Sequence, residues 1–415
     1  MSVRILHIAT DCVGGAGSAM LRIHQSLLDL GVESRALVRY SSQIDSRSIY
    51  AINPAPRCGF WYATKLGRFI RRVLHKLNYY VSQRDFVLEQ RKTIDKDICF
   101  TLPISEYKIH THPLIEWADV IHLHWIQDFL DFPSFFENVK KPIIWTIHDM
   151  NPMFGGFHHI RLRDKYMEQF GELERACYSI KKDALLRNRN VSIVALSTEM
   201  HNMLAAHELF TGRIIHDIAN SVDTTIFTLG DKQKLRCKYG IPMNSYVLLF
   251  ANGQLNDTEK GLAELVRALE ILNNKELNLL CVGNGELPKS RIDMFQLPRM
   301  STQEEMAQMY QMADMLVMPS RQEAFALTPL EAMSCGKPVV ITPVSGAKDL
   351  MRTFTGEIAV NFSPEAIAEA IKKAMKKEYD EEQIRNYIVD NYNLNVIGQK
   401  YIATYNNHLI QYERI

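Results

Sequence analysis

Short apolar runs of β character alternate with helix-period segments along the whole chain, and the alternation occurs twice. The first set comprises Arg4 to Ala9, Ala36 to Arg39, Asp119 to His124, Pro142 to Ile147 and Ser192 to Leu196. The second comprises Tyr246 to Ala251, Leu277 to Val282, Met315 to Met318, Val339 to Thr342 and Glu357 to Val360, with helical segments such as Leu262 to Leu272 between them. Strands separated by helices pair in parallel, because the crossover must run back along the sheet before the next strand begins. The pattern predicts an α/β chain of two doubly wound units joined near residues 217 to 231. The first helix is legible in detail: Ser18 is its expected cap, Ala19, Ile23, Leu27 and Leu30 recur at helical spacing, and Gly31 ends it. Val396, Tyr401, Ile402, Tyr405 and Leu409 give a closing helix within residues 391 to 415.

Composition excludes several classes. With 47% hydrophobic and 23% charged residues the chain is globular, not disordered, and a net charge of +1 gives no electrostatic basis for nucleic-acid binding. Seven scattered cysteines without a C-x-x-C pair fit neither a disulfide framework nor a zinc ribbon, so a reducing cytoplasm is the expected home. The first residues lack the apolar core of a signal peptide, and no run approaches the ~18 apolar residues of a membrane span.

Residues 57 to 84 stand apart. They hold Arg57, Lys65, Arg68, Arg71, Arg72, Lys76 and Arg84 and no acid, leaving 41 basic against 47 acidic residues elsewhere, a net of −6. Leu66, Phe69, Ile70, Val73, Leu74 and Leu77 share one helical face, with Phe60, Trp61 and Tyr62 at one end and Tyr79 and Tyr80 at the other. Such a helix suits an anionic membrane surface or a polyanionic acceptor; alternatively it packs on the sheet with a solvated basic face.

Two loops carry candidate chemistry. Gly14, Gly15 and Gly17 lie between the first strand and first helix, where backbone approach and a helix N-terminus suit an anion; a plain tight turn is the simpler reading. Met20 stands where a dinucleotide fingerprint needs its last glycine, and there is no Walker lysine. Glu323 follows the strand 315 to 318, at the carboxyl end where ligands bind in open α/β sheets. Glu331 stands three residues after Thr328, with Pro329 between, which also reads as a capping box.

Glu323 and Glu331 in the setting E-A-F-A-L-T-P-L-E-A-M-S-C-G-K-P-V-V resemble the E-x7-E motif of family-four retaining glycosyltransferases with the GT-B fold. The glycine turn, D-V-I-H-L-H-W at 119 to 125, W-T-I-H-D at 145 to 149, I-A-N-S-V-D-T-T-I-F at 218 to 227, Lys260-Gly261 and V-G-N-G at 282 to 285 agree in order. The likeness covers most of the chain except 45 to 110 and 157 to 190, and H-D-M-N-P-M-F-G-G is similar to glycosyltransferases of surface-polysaccharide assembly. The resemblance implies two Rossmann-like domains facing a cleft: an acceptor-side domain over 1–216 with the 57–84 insertion, a linker over 217–228, a nucleotide-sugar domain over 229–395, and a helix over 396–415 returning to the first domain.

By the same resemblance Glu323 holds the donor sugar's hydroxyls, Glu331 the ribose, and Lys260 the diphosphate. His148 faces the sugar near the reacting carbon, although a strand-end histidine is often merely structural. Gly14, Gly15, Gly17, Ala326, Leu327 and Thr328 lie by the donor, and no metal or other cofactor is implied. Gln254 stands where an arginine is usual, and Ala326 where glycine is common. Partners would be a nucleoside-diphosphate sugar and a glycan or lipid-linked acceptor, at the inner face of a membrane. Rival readings are a metal-dependent hydrolase using His122 and His124, which share one strand face, and a non-catalytic sugar-nucleotide-binding protein.

Overall fold

The computed structural model describes residues 3–39, 47–55, 64–77, 79–80, 82–96 and 98–412. Two compact units are formed, one by Met1–Ala195, His201–His216 and Ile402–Ile415, the other by Leu196–Met200 and Asp217–Tyr401. The first sheet contains β1 (Arg4–Ala9), β2 (Glu33–Val38), β3 (Ile49–Ala51), β4 (Val120–Leu123), β5 (Ile143–Thr146), β6 (Val191–Ala195) and β7 (Ile215–Asp217), in the order β3-β2-β1-β4-β5-β6-β7. The second contains β8 (Tyr246–Gln254), β9 (Leu277–Asn284), β10 (Met294–Leu297), β11 (Met315–Met318), β12 (Val339–Ile341) and β13 (Gly356–Ile358), in the order β10-β9-β8-β11-β12-β13. Strand pairs such as β1 with β4 and β8 with β11 are parallel.

In both sheets the order reverses beside the first strand, between β1 and β4 and between β8 and β11. At such a point the following loops part to opposite faces and leave a crevice at the carboxyl ends. Alternate residues supply opposite cores: Val247, Leu249, Leu316 and Met318 pack on one face of the second sheet, and Leu248, Phe250, Met315 and Val317 on the other. Covering both faces is why these strands read as unbroken apolar runs.

The structure corrects the start of the first helix. It runs Gly14–Asp29 behind Val13, with no side-chain cap, so Ser18 lies inside it and the glycine turn is its first turn. Gly17 is there for packing: a Cβ would lie 2.5 Å from the Cys12 carbonyl carbon. The closing helix, Leu394–Tyr412, buries Tyr405 and His408, which bond His122 and Ser192 of the first unit.

The basic segment forms a helix, Lys65–Lys76, capped by Thr64. Most of its apolar residues are turned outward, against the alternative in which they pack on the sheet. Its inward side carries Gly67, Arg71 and His75, and Arg71 and His75 hold the buried Asp85 carboxylate at 3.1 and 2.7 Å. The apolar Leu66, Phe69, Val73 and Leu77 are exposed, at 60, 61, 42 and 74%, beside exposed Lys65, Arg68, Arg72 and Lys76. Arg84 bonds Asp131 at 2.6 Å, so part of the basic charge is neutralised internally. Arg57, Phe60, Trp61 and Tyr62 lie outside the described residues.

Candidate functional site

In the first unit the loops after β1, β4 and β5 converge on one cavity. Asp11, Val13, Gly14, Gly15, Ala16, Gly17, Trp125, His148 and Asp149 line about 310 Å³. Gly14 and Gly15 have open space where a side chain would stand, and the helix they begin has no acid in its first turn. Its free N–H groups therefore offer the cavity a partial positive charge.

His148 and Asp149 differ in character. Burial pushes the His148 imidazole down to about 4, against a smaller opposing effect of Asp149, so it is neutral at pH 7. For Asp149 burial favours the neutral acid, but the His158 charge, hydrogen bonds from His158 and Trp125, and the Asn151 N–H hold it at about 2. His158 Nδ1 and Trp125 Nε1 each lie 2.7 Å from Asp149 Oδ2. Burial opposes protonation of His158, and the Asp149 charge and hydrogen bond outweigh it and raise it to about 10. Asp149 and His158 therefore form a charged pair at pH 7.

The loop that carries them is held by two residues the sequence did not single out. On the helix Ile160–Leu186, Glu174 accepts the Gly155 and Gly156 N–H groups at 2.7 Å each. Two turns further along the same helix, Lys181, 1% exposed, donates to Asn151 O, Asn151 Oδ1 and Phe154 O at 2.7, 2.8 and 2.9 Å. Only the H-D-M-N-P-M-F-G-G pattern hinted at this, since glycine pairs mark close backbone approach.

Among the described residues, ring nitrogens of His7, His122 and His124 lie within 4.8 Å of one another, the spacing of a metal site. Five of their six ring nitrogens are engaged with protein groups, His7 Nε2 being the exception. His122 reaches Tyr405 OH at 2.8 Å and Thr146 Oγ1 at 2.7 Å, and His7 Nδ1 lies 2.9 Å from His124 Nε2.

In the second unit the loops after β8 and β11 bring Lys260 and Glu323 together, Nζ to Oε1 at 2.7 Å. Burial disfavours the Lys260 charge, but Glu323, Asp257 and Glu259 more than compensate and raise its pKa. Two contacts fix the pair. Gly261, with φ +74°, sits where a Cβ would be 2.2 Å from Pro319 O, and Arg321 donates its N–H to Glu259 O at 2.8 Å. Gly346 supports the other side of the Glu323 loop, since a Cβ there would stand 2.3 Å from Ala324 O.

The capping-box reading of Glu331 is overturned. The helix is Leu327–Ser334 behind Ala326 without a side-chain cap, and Thr328 lies inside it. Glu331 is buried and accepts from Tyr310 OH at 2.8 Å. Ala326 has φ −76°, open to any residue, so glycine is not required there. Gln254 ends β8 in an exposed position.

Residues 231–390 match the family model for glycosyl transferases group 1. Within the second unit this stretch is similar to the group 1 glycosyl transferases. The matched stretch holds Gln254, Lys260, Glu323, Ala326, Leu327, Thr328 and Glu331. A D-inositol 3-phosphate glycosyltransferase of Catenulispora acidiphila is 30% identical over 179 residues, covering 38% of this chain and 42% of its own. The chain spans about half the length of the curated relatives it matches. Among solved structures, a glycosyltransferase from Rickettsia africae has a TM-score of 0.66 at 17% identity, over 98% of this chain and 99% of its own. An Anabaena protein in complex with UDP and glucose has a TM-score of 0.64 at 15% identity, over 97 and 99%. The fold is GT-B, with two Rossmann-like parallel sheets.

Proposed function

We propose that the chain transfers a hexose-type unit from a nucleoside-diphosphate sugar to a hydroxyl of a glycan or lipid-linked acceptor, in assembly of a capsule, exopolysaccharide or lipopolysaccharide. The observation that carries this reading is the Lys260–Glu323 pair at the switch point of the matched stretch. Breaking a sugar–phosphate bond leaves negative charge on the leaving oxygen, and a fixed ammonium beside a sugar-binding carboxylate answers that need. Gln254 brings hydrogen-bonding capacity but no charge, so Lys260 and the N–H groups at Leu327 and Thr328 carry more of the diphosphate stabilisation.

Configuration is retained by same-face attack: the acceptor oxygen bonds the anomeric carbon, the carbon–phosphate oxygen bond breaks toward phosphate, and the acceptor proton passes to the leaving phosphate. No metal or other cofactor takes part. The test is turnover with a panel of nucleoside-diphosphate sugars and saccharide acceptors, with inositol phosphate included because of the Catenulispora relative. Anomeric NMR of the product reads stereochemistry. An inverted product overturns retention, silencing by EDTA with rescue by a divalent ion overturns metal independence, and binding without product under every acceptor overturns catalysis.

The enzyme works at the inner face of the membrane, held by the Lys65–Lys76 helix. An exposed apolar stripe beside basic residues matches an anionic lipid surface in both charge and polarity. Cosedimentation with phosphatidylglycerol vesicles falls in a Phe69→Ser or Arg72→Glu variant; equal recovery of wild type and variants overturns this placement. Arg71 is unsuitable for charge reversal, because it holds Asp85. Among the described residues no helix is long and apolar enough to cross a membrane.

A further inference from the structure

Behind His148 a line of imidazoles runs into the first sheet. His148 Nε2 lies 3.2 Å from His124 Nδ1, and His124 Nε2 lies 2.9 Å from His7 Nδ1. His7 and His124 are buried, and burial pushes both well below the ordinary histidine range, so neither carries charge at neutral pH. At the inner end His7 Nε2 is buried with no hydrogen-bond partner. The other nearby rings do not supply one: His24 bonds Ser34 and Ser48, and His122 bonds Tyr405 and Thr146.

A neutral imidazole has one N–H and one lone pair, so two bonds among three such rings must run in the same direction. If the hydrogens point inward, from His148 to His124 to His7, then His7 ends with a buried Nε2–H that has no acceptor. If they point outward, His7 ends with only a bare lone pair. Orphaned buried N–H donors are the rarer and costlier defect, so the outward direction is favoured. His148 Nε2 then accepts from His124 and its single hydrogen sits on Nδ1, the nitrogen His124 does not occupy.

We propose that His7 and His124 are positioning residues that lock His148 as its Nδ1–H tautomer, so that the ring lining the cavity is a neutral hydrogen-bond donor to a sugar or phosphate oxygen and not a base. The tautomer itself stands on the ring geometry and on the burial that keeps the rings neutral; its use toward a donor sugar rests on the glycosyltransferase reading above.

Long-range 15N–1H correlation spectra of the full chain with 15N-labelled histidine test it without substrate, with His148 assigned by its loss in His148→Gln. The expected wild-type spectrum shows pyrrole-type Nδ1 and pyridine-type Nε2 for His148 at pH 7, and His124→Phe shifts the ring toward a mixture of tautomers. An Nε2–H tautomer in the wild type overturns the proposal even if no variant folds. So does an unchanged His148 spectrum in a folded His124→Phe protein, or stoichiometric zinc bound to His7, His122 and His124 in protein supplied with zinc alone. With turnover assayed separately, kcat/KM falls about tenfold or more in His124→Phe, as for other residues that orient a reacting group. The expected tautomer in a protein without transferase activity would leave the lock standing and sink only the reaction.

Discussion

Lys260 and Glu323, which belong to loops after different strands, meet at 2.7 Å within one unit. Both side chains are partly exposed, so the pair adds little to folding, about 1 kcal/mol or less. In the proposed transfer its charge acts where the diphosphate leaves. Lys260→Ala is expected to lower kcat by roughly 10²–10³, the scale for removing one preorganised stabiliser of developing charge, with unfolding free energy nearly unchanged. Initial rates and urea denaturation on the same preparations check this; a stability loss with intact turnover would make Lys260 a structural residue.

Much of this second-unit site was legible because each part carries a local sequence signal. Lys260-Gly261 and the E-x7-E setting are read along the chain, and the strand order that joins them follows from parallel pairing. The first unit was less transparent. Nothing in the linear pattern ties Glu174 to Gly155, because the connection is a carboxylate reaching across a loop to bare N–H groups. Ser18 looked like a cap because its residue type suits one, yet the helix starts at Gly14, where the chain is free to turn. The amphipathic pattern of Lys65–Lys76 was visible, but which side faced inward depended on Asp85, a buried acid held by Arg71 and His75.

Removing the Glu174 carboxylate takes the acceptor from three buried N–H groups, those of Gly155, Gly156 and, at a longer 3.4 Å, Phe157. Glu174→Ala is expected to destabilise by about 1–3 kcal/mol for each orphaned donor, whereas Glu174→Gln keeps one acceptor and loses less. Gly156→Ala attacks the same loop sterically, since its Cβ would stand 2.2 Å from the Phe100 ring. Denaturant midpoints that rank Gln above Ala check the hydrogen-bond account.

The Asp149–His158 pair sets a pH dependence with two edges. His158 is raised from 6.5 to about 10, so its contribution is complete below pH 6.5 and is lost as pH rises through about 10. Asp149 is lowered from 3.8 to about 2, so its contribution is complete above pH 3.8 and is lost as pH falls through about 2. The stability difference between wild type and His158→Gln is therefore expected to be greatest between about pH 4 and 6.5 and to shrink on both sides. Within that window it should approach 3–5 kcal/mol, roughly the cost of leaving a buried charge alone. A flat difference from pH 3 to 10 in urea titrations contradicts the pairing.

Gly261 is the position where shape and chemistry are hardest to separate. Its φ of +74° disfavours any side chain, and a Cβ would press on Pro319 O at 2.2 Å, so Gly261→Ala must move the Lys260 turn away from the end of β11. Folding cost of about 1–3 kcal/mol is expected from overpacking. Turnover should fall further than the folded fraction explains, because in the proposed reaction Lys260 is displaced from the position where phosphate charge develops, and small misplacements cost rate steeply. Measuring kcat at a temperature where the variant is fully folded separates the effects. Full activity there would mean that the close approach of Gly261 to Pro319 serves stability alone.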